Sequence, residues 1–176
     1  MHYKHYERNQ NTNININNVN LTGENLKFEF DLKGTSSLGA ITNNAKQMNL
    51  RATQSSSTLT VTTLNQNSSV TPQDNNANTQ IFQNVSVATL NVNAGSAANN
   101  GGTITNANIN GGEFRQASGT TETATLNSGS LTQANGSITT LNQNAGSTIQ
   151  QNGTIQNLNL SGGTFTHKGG TLSNVV

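Results

Sequence analysis

Seventeen residues separate Gly95 from Gly112, and the same step recurs at Gly129, Gly146 and Gly163. A second ladder, Gly102, Gly119, Gly136, Gly153 and Gly170, keeps the same interval. A fixed period of this length belongs to a chain that winds one coil per repeat and buries its apolar residues by stacking coil on coil. It constrains architecture strongly and function very little.

The supply of apolar side chains agrees. Leu, Ile, Val and Phe together number 36 of 176 residues, while Asn alone numbers 32. A globular core is hard to build from so few, yet only 9% of residues are charged and the net charge is +1, so the high-charge half of the disorder signature is missing. A slender coil with a few buried side chains per rung needs no more. The near-neutral balance has no basic stripe of the kind that binds nucleic acid. Without Cys there are neither disulfides nor thiolate metal sites. The opening MHYKHYERNQ is charged and polar where a secretory segment would become apolar. Export would therefore make this chain an internal segment of a longer protein.

In register, the second half reads SVATLNVNAGSAANNGG (86–102), TITNANINGGEFRQASG (103–119), TTETATLNSGSLTQANG (120–136), SITTLNQNAGSTIQQNG (137–153) and TIQNLNLSGGTFTHKGG (154–170), followed by TLSNVV. Columns two, five, seven and twelve carry the apolar residues, for example Ile104, Ala107, Ile109 and Phe114. Columns five and seven alternate as a strand does. Columns two and five differ by an odd step, so the chain must bend between them, and the two Gly columns supply the other corners. The expectation is an all-β chain, a parallel β-solenoid (β-helix) with roughly triangular coils of 17 residues. One coil departs from the pattern: Gln143 and Thr148 occupy apolar columns and Ile149 sits next door, which predicts a bulge or a one-residue shift. Asn fills much of columns four, six and eight, where stacked amides can hydrogen-bond along the coil axis.

Further upstream, TTLNQN at 62–67 matches TTLNQN at 139–144, four periods plus nine residues away. An insertion of about nine residues is expected near 71–79 (TPQDNNANT), projecting from one corner. Thr71, Gln73, Asp74, Asn75, Asn76 and Asn78 are its candidate contact residues. Before residue 60 the register fades. LKFEFDLKG (26–34) alternates apolar and charged residues, and ten of the fifteen Lys, Arg, Asp and Glu residues lie in the first 51 positions. Residues 1–59 are read as a polar tail and capping segment that blocks strand addition, and 60–176 as the solenoid. The last coil is partial and ends in two Val residues, so continuation of the chain is expected, with self-association at this uncapped end as the alternative.

Catalytic signals are weak. Glu113 and Glu122 occupy columns eleven and three, on different faces, and do not form the carboxylate pair that a polysaccharide-cleaving β-helix enzyme needs. The turns NAG, NGG, NSG and SGG lack the Asp of calcium-binding repeats. Arg115, His167 and Lys168 read as scattered surface charge, and a Thr-x-Thr array of the ice-binding kind is interrupted by Glu122. No catalytic residue, metal or cofactor is expected.

The rungs TIQNLNLSGGTFTHKGG and SITTLNQNAGSTIQQNG resemble the passenger domain of a Gram-negative autotransporter or related surface adhesin: Asn/Thr/Gly-rich, single aliphatics pointing inward, Gly-Gly corners and no Cys. The resemblance covers about residues 60–176 and is compositional. It implies a secreted or outer-membrane-attached stalk used for adhesion, aggregation or toxin display, often in virulence. The implied partners are a host or sister-cell surface protein or glycan and, for the parent chain, an outer-membrane translocator. A self-assembling fibre or matrix protein is the alternative. The resemblance transfers no enzymatic residue.

Overall fold

The computed structural model describes residues 3–7 by their backbone, and residues 13–31, 34–72 and 77–176 in full. No helix occurs among them. Fourteen strands follow in chain order: β1 (Tyr3–Glu7), β2 (Asn15–Asp31), β3 (Thr35–Arg51), β4 (Thr58–Gln66), β5 (Thr79–Phe82), β6 (Val85–Val92), β7 (Ser96–Ile109), β8 (Glu113–Leu126), β9 (Ser130–Gln133), β10 (Ser137–Gln143), β11 (Ser147–Gln150), β12 (Thr154–Leu160), β13 (Thr164–His167) and β14 (Thr171–Val175). Every strand pair is parallel.

From β6 onward, partners lie 17 positions apart: Val87 beside Ile104, Ile104 beside Thr121, Thr121 beside Ile138, Ile138 beside Ile155, and Ile155 beside Leu172. Within β10, Ile138, Leu141 and Gln143 are buried, while Thr139 and Thr140 are not. Pairing lapses at Thr139, which has no partner in β8 or β12. Two outward residues in succession break the two-residue alternation, which is what a bend between columns two and five requires.

Parallel pairing also continues upstream of residue 60, where the 17-residue period is lost. Asn15 pairs with Ser37, Thr35 with Thr58, and Thr60 with Ser86, so the steps are 22, 23 and 26 residues. The series β2, β3, β4, β6, β7, β8, β10, β12, β14 is unbroken. At the usual strand spacing its eight steps cover about 38 Å. The long strands β3 and β7 each take different partners along their two halves. As a result β3, β4, β6, β7 and β5 pair in a closed ring.

The core is one continuous shaft of buried residues from Leu21 to Leu158. Columns two, five, seven and twelve face it as the period requires: Ile104, Ala107, Ile109 and Phe114 are at most 1% exposed. Each buried Leu, Ile or Phe contributes roughly 1.5–3 kcal/mol of transfer free energy. The expected bulge in the coil at 137–153 is absent. Gln143 pairs in register with Leu126 and Leu160, and Thr148 with Leu131 and Phe165. Both stay in the inward columns and are fully buried. Polarity alone does not expel Gln143, because the shaft offers hydrogen-bond acceptors at its corners, while Thr148 stays inward with its hydroxyl unbonded among the described residues.

Those acceptors also serve column fourteen, where Asn99, Gln116, Gln133 and Gln150 are all 0% exposed. Gln133 Nε2 donates to the carbonyls of Gly136 at 3.3 Å and Thr154 at 2.9 Å. Gln143 makes the same bonds to Gly146 and Thr164, and Gln150 to Gly153 and Thr171. A turn leaves carbonyls facing inward, and an unpaired buried carbonyl is costly. The inward amide donates to two such carbonyls at once, and the glycine one also accepts a backbone N–H, as Gly136 does from Thr154 at 3.0 Å.

The Gly columns stack directly. Gly146 has φ +75°, and a Cβ there would come within 2.5 Å of the Gly129 carbonyl oxygen. Only a residue without a side chain lets the corners sit at strand spacing in a left-handed conformation.

Candidate functional site

The regular wall is interrupted between β4 and β5, where the step to the next coil is 26 residues rather than 17. The described parts of this insertion are its two ends. Gln73, Asp74, Asn75 and Asn76 lie outside the described residues. Thr71 is exposed and Pro72 half-buried on one side, and Ala77 is half-buried on the other.

Asn78, expected as a contact residue, is only 1% exposed and works as a pin. Its Nδ2 donates to the carbonyls of Lys46 at 2.8 Å and Val70 at 2.6 Å. Its Oδ1 accepts from the backbone N–H of Ser96 at 2.9 Å. One amide thus ties both ends of the insertion to the coils on either side. Beneath it, Asn43 donates to Gln66 Oε1 at 2.8 Å and to Thr79 Oγ1 at 3.0 Å, and Thr79 Oγ1 donates to the same Gln66 oxygen at 2.6 Å. Gln66 Nε2 reaches the Ser68 carbonyl at 2.8 Å. A buried polar network of this kind holds a fixed geometry when its members are bonded.

Beside the insertion lies an open recess of about 350 Å³. Its floor is the outward side of β7, where Ser96 and Ala98 are small. One wall is Gln80 with Thr71, Pro72 and Ala77, and the other is Glu113 with Arg115. The register explains the hollow. Gln80 pairs with Ala98 and Ala98 with Arg115, so one column places a methyl group between two long side chains. Gln80 is held still: its Nε2 donates to Asn49 Oδ1 at 3.1 Å, and its Oε1 accepts from Asn100 Nδ2 at 3.0 Å. Glu113 and Arg115 are exposed and point to the same side of β8. Arg115 makes no ion pair among the described residues.

A smaller recess of about 170 Å³, lined by Arg51, Phe82 and Asn100, has its cation already engaged. Arg51 Nε lies 3.0 Å from Glu29 Oε1, and the guanidinium sits 3.7 Å above the Phe82 ring centre. This reads as a clamp between β2, β3 and β5. Among the described residues, no group of three or more His, Asp or Glu side chains is placed to hold a metal ion.

The outer wall carries the expected amide ladders. Along column eight, Asn93 donates to Asn67, Asn110 to Asn93, Asn127 to Asn110 and Asn144 to Asn127, each between 2.8 and 3.0 Å. Their shared direction and one-coil spacing make them part of the axial hydrogen bonding. Sequence reasoning placed the insertion but not the recess, because the hollow at Ala98 depends on which residues 18 and 17 positions away fall beside it. Comparison with known protein families, with curated proteins and with solved structures gives no match.

Proposed function

We propose that this chain is a parallel β-solenoid of three-sided coils and acts as a rigid adhesive segment of a secreted or cell-surface bacterial protein. Support for the architecture comes from the constant 17-residue register and the pairing lapse at Thr139. The support for adhesion is one observation: a pinned insertion flanks a recess that carries a guanidinium without an ion pair among the described residues. The mechanism is presentation. Stacked coils hold the recess and the insertion in fixed positions, so that binding costs little ordering of the protein. The partner is a glycan or protein of a host or sister-cell surface, and the reading assigns no catalytic step.

The test applies labelled protein to a glycan array and to intact bacterial and epithelial cells. Saturable binding that falls when residues 71–77 are replaced by a short Gly-Ser linker is the expected result. Absence of binding to every glycan and cell type would overturn adhesion.

A further inference from the structure

Resting on the adhesive reading of the same recess, we infer that its ligand is an acidic sugar, a pyranose ring bearing a carboxylate within a surface polysaccharide. Three features converge. First, shape: Ala98 lies between Gln80 and Arg115 in one column, so the hollow spans two strand spacings, roughly 10 Å. A recess of about 350 Å³ lies at the lower end of the range for small-ligand sites and suits one or two sugar rings.

Second, charge. Arg115 has no ion pair among the described residues, and its planar fork matches a carboxylate in two parallel hydrogen bonds. Glu113, two residues earlier on the same side of β8, repels a carboxylate and accepts hydrogen bonds from hydroxyl groups. The pair therefore orients the ring, carboxylate toward Arg115 and hydroxyls toward Glu113. A neutral sugar leaves the guanidinium unmatched, and a simple anion leaves Glu113 without a donor.

Third, the remaining walls suit a sugar face. Pro72 and Ala77 offer apolar surface to ring C–H groups, while Gln80 is fixed by its own bonds to Asn49 and Asn100. The wall is set before binding. Electrostatic attraction across an exposed site weakens with salt, so the interaction is salt-sensitive.

The experiment is an amide NMR titration with a uronic-acid disaccharide, with its carboxyl-reduced neutral counterpart and with an Asp-containing tripeptide. Expected are shifts centred on Ser96, Ala98, Asn100 and Arg115, and binding at least tenfold tighter for the acid than for either comparison ligand. Arg115→Ala should weaken it at least tenfold. Ala98→Gln, which extends the column already begun by Gln80, should block it while distant resonances stay in place. Equal binding of the neutral sugar overturns the inference but leaves adhesion standing. So does preference for the peptide, or a shift pattern on another face. Silence from all three ligands alongside binding on cells also overturns it, whereas silence on cells and arrays overturns the adhesive reading itself.

Discussion

Gln133 links two levels of one corner: its Nε2 donates to the Thr154 carbonyl at 2.9 Å and to the Gly136 carbonyl at 3.3 Å. The same pair of bonds, at three and twenty-one residues' distance, recurs at Gln143 and Gln150. Gln133→Leu keeps the bulk but removes the Nε2 donor from the Thr154 carbonyl, whereas the Gly136 carbonyl keeps its bond from the Thr154 N–H. A destabilisation of about 1–3 kcal/mol is expected in urea unfolding. Gln133→Glu should cost more at neutral pH, because an unpaired buried carboxylate is poorly solvated. Burial raises the carboxyl's folded-state pKa above its unfolded value, so this extra penalty appears as pH rises through the unfolded pKa and fades again on acidification.

Thr148 presents the opposite case. Its Oγ1 is buried without a hydrogen-bond partner among the described residues, between Leu131 and Phe165 in its column. Thr148→Val replaces that hydroxyl by a methyl of similar size. The variant should be more stable by about 1 kcal/mol, raising Tm by roughly 2–4 °C in calorimetry.

Gly146 combines a left-handed φ of +75° with a predecessor's carbonyl where a side chain would stand. Gly146→Ala should cost about 2–3 kcal/mol from backbone strain and the displaced corner together. Thermal unfolding checks it, and a neutral outcome would show that the corner yields.

Removing whole coils tests the repeat. Deleting residues 137–153 brings Ile155 beside Thr121 and Leu158 beside Ala124, following the existing register. The shortened chain should unfold cooperatively with a lower urea midpoint. Deleting only 137–144 moves inward residues outward and should abolish the cooperative transition.

Much of this was legible because the interval is constant after residue 86. Ile104, Ala107, Ile109 and Phe114 could be assigned inward from spacing alone, and the TTLNQN offset revealed the nine extra residues. The interior amides were not legible. Gln133 and Gln150 look like surface residues by type, and only the turn carbonyls beside them explain their burial. For the same reason Gln143 and Thr148 suggested a bulge that does not occur. The alternation in LKFEFDLKG marked the end of β2, but the rest of β2 and all of β3 were hidden because steps of 22 and 23 residues are not multiples of 17. Asn78 resembled its neighbours in an Asn-rich loop, and its role as a pin depends on Lys46 and Val70, which no local pattern links to it.

Stacking itself is best tested by distance. Asn67 and Asn144 are exposed, 77 residues apart in sequence and four coils apart along the column-eight ladder. The chain has no Cys, so paired Cys substitutions can be spin-labelled cleanly. With one label fixed at position 67, moving the other from Asn144 to Ser161 adds one coil. Pulsed electron-electron double resonance should give backbone separations of about 19 Å and about 24 Å, a rise of one strand spacing per 17 residues. Separations that are broad, or that fail to climb by that increment, would contradict stacked coils.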